Sequence, residues 1–296
     1  MNILVIGSAN TDMVIRTDKA PLIGETVMGR EFSVNSGGKG LNQAVAISKL
    51  GGNVSFLGLV GDDQNGKMLT DTLKDYGVNF VGKALQDVSS GVALITVVGA
   101  DNFIVLDEGA NGRITPEFIV ENKEIIEQAD FIVLQLEIPV ESIIKICEFA
   151  GSSKAKVVLN PAPYKKLPKE LYTMVDYLIP NEHEAKDITG IIPDNNQSCI
   201  KAIKKLLELG VKNAIITLGD RGSVYGTETG IVFQNAEKAV AVDTTSAGDS
   251  FIGALTVRLA EGYTLPDAVS FATKVSAITV SRKGAAKSIP YINEVI

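Results

Sequence analysis

The chain is poor in the residues that build covalent or metal centres. Only two cysteines occur in 296 residues. Cys147 and Cys199 lie far apart inside helical patterns, which excludes a disulfide framework or a zinc site and predicts two buried thiols. The single histidine, His183, excludes a multi-histidine metal centre. No apolar run approaches the roughly 18 residues that a membrane span requires. Positive charge is also scarce, with 28 basic residues against 35 acidic ones and a net charge of −7. Such a balance offers no broad basic field, so neither nucleic acid nor a membrane is an expected partner. Any phosphate must be held by a local device. The opening run Met1–Ile6 predicts a strand with neither a charged leader nor a cleavage site, so the expected setting is reduced and cytoplasmic.

What is present fits a soluble globular protein. At 45 % hydrophobic and 21 % charged residues the composition is ordinary, and the length suits one large domain or two average ones. Short β-branched runs at Ile3–Ile6, Val54–Leu59, Phe131–Leu136, Lys156–Leu159, Tyr177–Ile179 and Ala214–Leu218 alternate with helical spacings. Leu69, Leu73 and Tyr76 recur at helical spacing before Gly77, as do Ile203, Leu206 and Leu207 before Gly210. Thr115-Pro116 supplies a capping hydroxyl and a proline for another helix start. This alternation predicts an α/β fold: a doubly wound, mostly parallel sheet with helices on both faces. Two stretches break the rhythm. Residues 13–34 and 91–106 hold strand-like pieces (Glu25–Val27, Phe32–Val34, Val92–Val98, Phe103–Leu106) with no helix between them. They predict a small separate sheet, leaving residues 1–12, 35–90 and 107–296 as the core. At this level a flap over a site and a plain antiparallel extension stand equal.

Polar residues gather where the parallel strands end, which is where doubly wound sheets bind ligands. Ser8, Asn10, Thr11 and Asp12 follow the first strand. Glu137, Asn160, Asn181-Glu182-His183-Glu184 and Thr217-Leu-Gly219 follow later ones. Each alone reads as a turn or cap residue. Together they suit a ligand with many hydroxyls, a sugar or polyol. Asn35-Ser-Gly-Gly38-Lys39-Gly40 leads into a helix and lets backbone approach a ligand, although it matches neither common phosphate-loop pattern. The segment Asp243-Thr-Thr-Ser-Ala247-Gly248-Asp249 enters another helix. Its small residues leave first-turn N–H groups uncovered, making an anion hole that needs no lysine. Asp249 beside it reads either as an acid that stabilises its helix or as a base that takes a proton from an attacking hydroxyl.

Asp243-Thr-Thr-Ser-Ala-Gly-Asp249-Ser-Phe-Ile-Gly-Ala and Gly37-Gly-Lys-Gly-Leu-Asn42-Gln-Ala resemble the two signatures of the ribokinase (PfkB-type) carbohydrate kinase family. Further matches run in order along nearly the whole chain: Gly7-Ser-x-Asn10-x-Asp12, Gly24-Glu-Thr-Val, Gly109-Ala-Asn, Gln135-Leu-Glu137, Asn160-Pro-Ala-Pro, Pro180-Asn-Glu-x-Glu184, Thr217-Leu-Gly-x-Arg-Gly222 and Arg282-Lys-Gly-Ala. They are fullest toward the branch of the family that acts on ribose. The resemblance implies ATP-dependent phosphorylation of D-ribose at O5 beneath a β-sheet lid. Asn10, Asp12, Gly38, Lys39, Asn42 and Glu137 would hold the sugar, with Asp249 as the base. Ala247 and Gly248 would form the anion hole, and Asn181, Thr217, Gly219, Gly222, Gly248 and Thr273 would hold ATP. Glu184 would organise Mg²⁺ through water. A monovalent cation, K⁺, would sit among Asp243, Thr245, Thr279, Arg282, Gly284 and Ser288, mostly on backbone carbonyls.

Ser246 stands where many members carry glycine, a small-for-small change that keeps the anion hole. His183 reads as a residue at the surface or just behind the site, and the basic segment Val280–Lys287 as a neighbour of the nucleotide rather than a merely solvated face. A sibling kinase acting on deoxyribose or fructose is the nearest alternative; a non-catalytic sensor would have no need of Asp249. The apolar run Val92–Val98, if left at a free edge, predicts a homodimer that pairs the two lids.

Overall fold

In the computed structural model, residues 1–99 and 101–296 are described. A nine-stranded sheet forms the centre, in the order Gly230–Gln234, Ser223–Thr227, Asn213–Thr217, Tyr177–Leu178, Lys156–Asn160, Phe131–Gln135, Asn2–Ile6, Asn53–Leu57 and Asn79–Phe80. Every pairing from Asn213–Thr217 to Asn79–Phe80 is parallel. Only the hairpins at the Gly230–Gln234 edge are antiparallel. Strand side chains alternate between the two faces, so successive residues feed two separate cores. Leu4 and Ile6 pack with helices Pro116–Glu121, Val140–Gly151 and Asn196–Glu208. Ile3 and Val5 pack with Lys39–Lys49, Gln64–Asp75, Ala247–Ala260 and Leu265–Val280. The doubly wound, mostly parallel architecture expected from the alternation is therefore present. Among the described residues no helix is long and apolar enough to cross a membrane.

The small separate sheet is present too. Its four strands lie in the order Gly29–Gly37, Asn10–Thr17, Gly91–Val98 and Asp101–Asp107. Two of them start at the site, because Asn10 pairs with Gly37 on one side and Gly91 on the other. The sheet thus begins a few residues earlier than the boundary at residue 13. Phe32, Val34, Leu94, Phe103, Ile104, Val105 and Leu106 are exposed on it.

Two sequence expectations need correction. Glu25–Val27 is not a strand: residues 18–28 form an irregular loop. Glu25 closes a local turn there, accepting the Leu22 N–H on its carboxylate at 3.1 Å and donating its own N–H to Leu22 O at 2.9 Å. That local bonding turns the chain at Glu25, and among the described residues no neighbouring strand pairs with the segment. Val54–Leu59 is not one strand either. It divides at Gly58, and Leu59–Gly61 pairs with Lys83–Leu85 in a separate two-stranded sheet. Thr115 does cap its helix, its hydroxyl accepting the Phe118 N–H at 3.4 Å. Both cysteines are free and buried.

Candidate active site

Asp249 lies in the first turn of helix Ala247–Ala260 and is buried. Helix Lys39–Lys49 crosses it and supplies two amide donors. Asn42 Nδ2 donates to Asp249 Oδ2 at 3.2 Å, and Gln43 Nε2 to Oδ1 at 3.0 Å. Burial pushes the Asp249 carboxyl above its ordinary value, against the pull of Lys39 and the two amides, and Glu137 adds to the rise. Gln43 is itself held, accepting from Gln135 Nε2 at 2.7 Å and sharing its own amide with Asn160 Oδ1 at 3.3 Å. The carboxylate is therefore fixed in direction and raised in basicity, which are the two properties a general base requires.

The strand end at Ser8–Asp12 builds the adjoining wall. Glu137 accepts from the Ser8 hydroxyl, from Asn10 Nδ2 at 3.5 Å and from the Lys39 N–H at 3.1 Å. Asn111 fixes Asn10 from behind, donating to its Oδ1 at 2.7 Å while accepting the Ala9 N–H at 3.0 Å. Asp12 lies against Gly37, where a Cβ would stand 2.1 Å from its Oδ2. Its carboxyl is pushed up to about 7, by burial first and then by Glu137 and Asp249. Burial pulls Lys39 down, but Asp249, Glu137 and Glu184 outweigh it and hold the ammonium net above its ordinary value. Several carboxylates thus surround one firmly charged lysine. Gly38, at φ +89°, makes the turn into helix Lys39–Lys49, and a Cβ there would stand 2.8 Å from Asn10 N.

Beside the base is the predicted anion hole. Ser246 adopts the left-handed region at φ +60°, tolerating a conformation that glycine takes more easily. The Ala247 N–H is engaged by Thr244 O at 3.2 Å. Gly248 follows, where a Cβ would meet nothing within 4 Å, so the approach to this helix start is open. Asn42 Oδ1 and Ser246 Oγ are buried without a protein partner, a state that a polar ligand relieves.

A cavity of about 690 Å³ runs outward from Lys39 and Asp249. All six residues expected to hold a nucleotide line it: Asn181, Thr217, Gly219, Gly222, Gly248 and Thr273. Exposed His183 stands on its rim. Of the sugar set, Lys39 and Asp249 line the cavity, while Asn10, Asp12, Gly38, Asn42 and Glu137 form the neighbouring cluster. Glu184 lines it as well and closes a capping box, its two oxygens accepting from Asn181 N at 2.8 Å and Asn181 Nδ2 at 3.0 Å. Burial pushes Glu184 up, opposed by the Asn181 bond and by Lys39. Each oxygen keeps a lone pair, which suits holding a metal ion through water.

The six residues assigned to a monovalent cation meet at the base of helix Leu265–Val280. Asp243 Oδ1 accepts the Thr245 N–H and Oδ2 the Gly284 N–H, both at 2.9 Å. Thr279 and Ser288 turn their hydroxyls onto the carbonyls of Val275 at 2.9 Å and Ala285 at 2.8 Å. The Arg282 side chain pairs with Glu294 at 2.8 Å. The side chains of Asp243, Thr279, Arg282 and Ser288 are occupied locally, so an alkali ion held here would have to draw on backbone carbonyl oxygens. Among the described residues no group of three or more His, Cys, Asp or Glu could hold a metal ion. The basic segment 280–287 meets the nucleotide cleft at one end: Val280 lines the cavity, while the Lys283 and Lys287 side chains face solvent.

Ser8, one of the polar residues expected at the first strand's end, completes the site together with Gln43, Gln135 and Asn111, which stand in the matched motifs but were given no role of their own. The available signal was an uncharged polar side chain inside an otherwise apolar buried element, as Gln43 is among Leu41, Ala44 and Val45.

The family described as pfkB family carbohydrate kinase matches residues 1–292. Ribokinase of Schizosaccharomyces pombe is 43 % identical, over 100 % of this chain and 96 % of its own. Deoxyribokinase of Salmonella typhi is 35 % identical, covering 99 % and 97 %. The solved structure of Arabidopsis thaliana ribokinase complexed with ribose and ATP superposes with a TM-score of 0.93 at 31 % identity, covering 99 % of this chain and 96 % of that one.

Proposed function

The chain belongs to the pfkB family of carbohydrate kinases, and from that premise we propose that it transfers the γ-phosphoryl group of ATP to O5 of D-ribose, giving D-ribose 5-phosphate and ADP. The observation that carries the reading is the placement of Asp249. It stands in the first turn of a helix, next to open Gly248, where a carboxylate-and-amide cluster meets a cavity large enough for a nucleotide. Its raised basicity and its two amide tethers suit a group that must accept one proton in one direction.

The O5 hydroxyl gives its proton to Asp249 while its oxygen forms a bond to the γ-phosphorus. The bond from that phosphorus to the β,γ-bridging oxygen breaks, and ADP leaves. Phosphoryl transfer asks mainly for positioning and charge neutralisation. The N–H groups and dipole of helix Ala247–Ala260 supply neutralisation at Gly248. Asn10, Asp12, Lys39, Asn42 and Glu137 would orient the hydroxyls of the sugar. ATP-dependent transfer of this kind uses a divalent ion; Mg²⁺ would be held through water by Glu184 and would neutralise phosphate charge. K⁺ would be held by the carbonyls around Asp243 and would add positive charge near the anion site.

The small sheet is read as a lid that excludes water from the sugar. Its exposed apolar side chains, Phe103–Leu106 among them, support pairing of two lids in a homodimer. Sedimentation at micromolar concentration checks this, and a lone monomer would overturn it. A second reading, deoxyribose as the preferred sugar, draws support from the deoxyribokinase relative.

The deciding experiment is ADP release from MgATP with ribose, deoxyribose and fructose, each with and without K⁺. Peak turnover on ribose that rises with K⁺ is the expected result. Peak turnover on another sugar reassigns the pocket and keeps the role of Asp249, whereas ATP binding without turnover on any sugar sinks the kinase reading for a sensor.

A further inference from the structure

Lys49 sits at the far end of the helix that holds the base, and it is buried at 5 % exposure. Its ammonium donates to two carbonyls of the C-terminal segment, Ala286 O at 2.9 Å and Ile289 O at 2.7 Å. The rings of Tyr76 and Tyr291 flank it, each centroid 4.8 Å away. Burial pulls this lysine down to about 8, with Glu294 opposing and Arg282 assisting. It therefore stays largely charged at neutral pH. A lysine is seldom buried without acceptors, and these carbonyls lie 237 and 240 positions away in the chain. The contact is a long-range strut rather than a local cap.

The contacts on either side of the strut close a ring. From Lys49 the helix runs back about 10 Å to Asn42 and Gln43, at 1.5 Å per residue, and these two hold the carboxylate of Asp249. In the other direction, Ala286 belongs to the segment whose Gly284 N–H is accepted by Asp243 at 2.9 Å. Asp243 also accepts the Thr245 N–H at 2.9 Å, shaping the loop that leads through Ser246 into Ala247, Gly248 and Asp249. The helix that aims the base and the loop that sets the anion hole are thus joined twice, once directly and once through Lys49.

We propose that Lys49 is a positioning residue for phosphoryl transfer: by fastening the C-terminal segment to helix Lys39–Lys49, it sets the loop Asp243–Ser246, and with it Gly248, at a fixed place relative to Asp249. This rests on the kinase reading above. Lys49 does not line the cavity and spends its hydrogen bonds on Ala286 O and Ile289 O, so its loss affects the alignment of the reaction rather than the capture of substrate. An error of an ångström in such an alignment is enough to lower turnover by roughly 10²-fold.

The test is Lys49→Met, which keeps the buried stem and removes the ammonium. It is read by steady-state kinetics and by amide hydrogen exchange on the full chain. The expected result is a fall in kcat of roughly 10- to 100-fold with little change in KM for sugar, accompanied by faster exchange at residues 243–248 as well as at 284–291. Lys49→Arg should recover part of both. Tyr291 is half exposed and Tyr291→Leu removes one flanking ring, a milder change than Lys49→Met that is expected to keep the fold, and it should show the same pattern more weakly. Normal kcat in either folded variant, or faster exchange confined to 284–291, overturns the proposal. A parent enzyme without turnover on any sugar defeats the kinase reading instead, and the exchange pattern still decides whether the strut holds the loop.

Discussion

Gln43 Nε2 lies 3.0 Å from Asp249 Oδ1, and the two residues stand 206 positions apart in the chain. One helix aims a carboxylate that another helix carries. The amide also favours the charged form of that carboxylate, opposing the burial that raises it. Removing it should raise the Asp249 carboxyl further. A hydrogen bond to a charged group is worth about 1.5–3 kcal/mol, and a pKa unit about 1.4 kcal/mol. Gln43→Leu should therefore move the acidic limb of the kcat/KM profile upward by about one to two pH units, with activity partly restored at alkaline pH. A limb that stays in place would separate Gln43 from the base.

Asp249→Asn tests the base itself. Asn42 keeps an unpartnered Oδ1, so its amide can turn and accept from the new side-chain NH₂, and Gln43 can still donate to the new oxygen. The fold should survive while the proton acceptor is lost. We expect kcat to drop roughly 10²–10⁴-fold with MgATP affinity retained, as measured by single-turnover kinetics and calorimetry. Near-normal turnover would assign the proton to another group.

The parts of this arrangement differ in how far the sequence discloses them. The sheet and its helices follow from the alternation of β-branched runs with helical spacing, because each element meets its own local requirement. The helix start at Ala247 was legible in part: small residues leave the approach to Gly248 open as expected, but the Ala247 N–H is taken up by Thr244 O, a turn that residue size alone does not reveal. Gln43 was not legible. Helix Lys39–Lys49 is buried on nearly every side, and periodicity cannot tell which buried polar group meets a partner 206 residues later. Lys49 was hidden in the same way: at the end of a helix it looks like an ordinary favourable charge on the dipole. Glu25–Val27 erred in the opposite direction, because its strand-like composition had no neighbouring strand to join. Distant partners are a property of the folded chain, and composition records only the capacity to have them.

Gly248 separates folding from function. A methyl group there meets no protein atom within 4 Å, and alanine is a better helix residue than glycine by about 0.5–1 kcal/mol. Gly248→Ala should leave thermal stability unchanged or slightly higher. Its methyl would project toward the bound phosphoryl group, however, and turnover should fall by roughly 10²-fold, the scale of losing one preorganised donor. Scanning calorimetry beside steady-state kinetics checks both. A variant that loses stability together with activity would show Gly248 to be structural.

If Asp12 holds the sugar as proposed, sugar binding should be sensitive to pH near neutrality. Its ordinary value is 3.8, and in the folded chain its carboxyl is pushed up to about 7. The folded state thus holds a proton that the unfolded chain has released across this interval. Stability from this group is fully present below about pH 4 and is lost as pH rises through 7. Asp12→Asn, which cannot ionise, should be more stable than the parent at pH 8 and equal to it near pH 4, as thermal melts would register. Binding runs in the opposite sense, because a sugar hydroxyl donates best to the charged carboxylate. Ribose affinity should weaken as pH falls below about 7. Titration calorimetry at pH 6 in buffers of different ionisation enthalpy should then show proton release on binding. Affinity that is flat from pH 6 to pH 8, with no proton exchanged, would remove Asp12 from the sugar site.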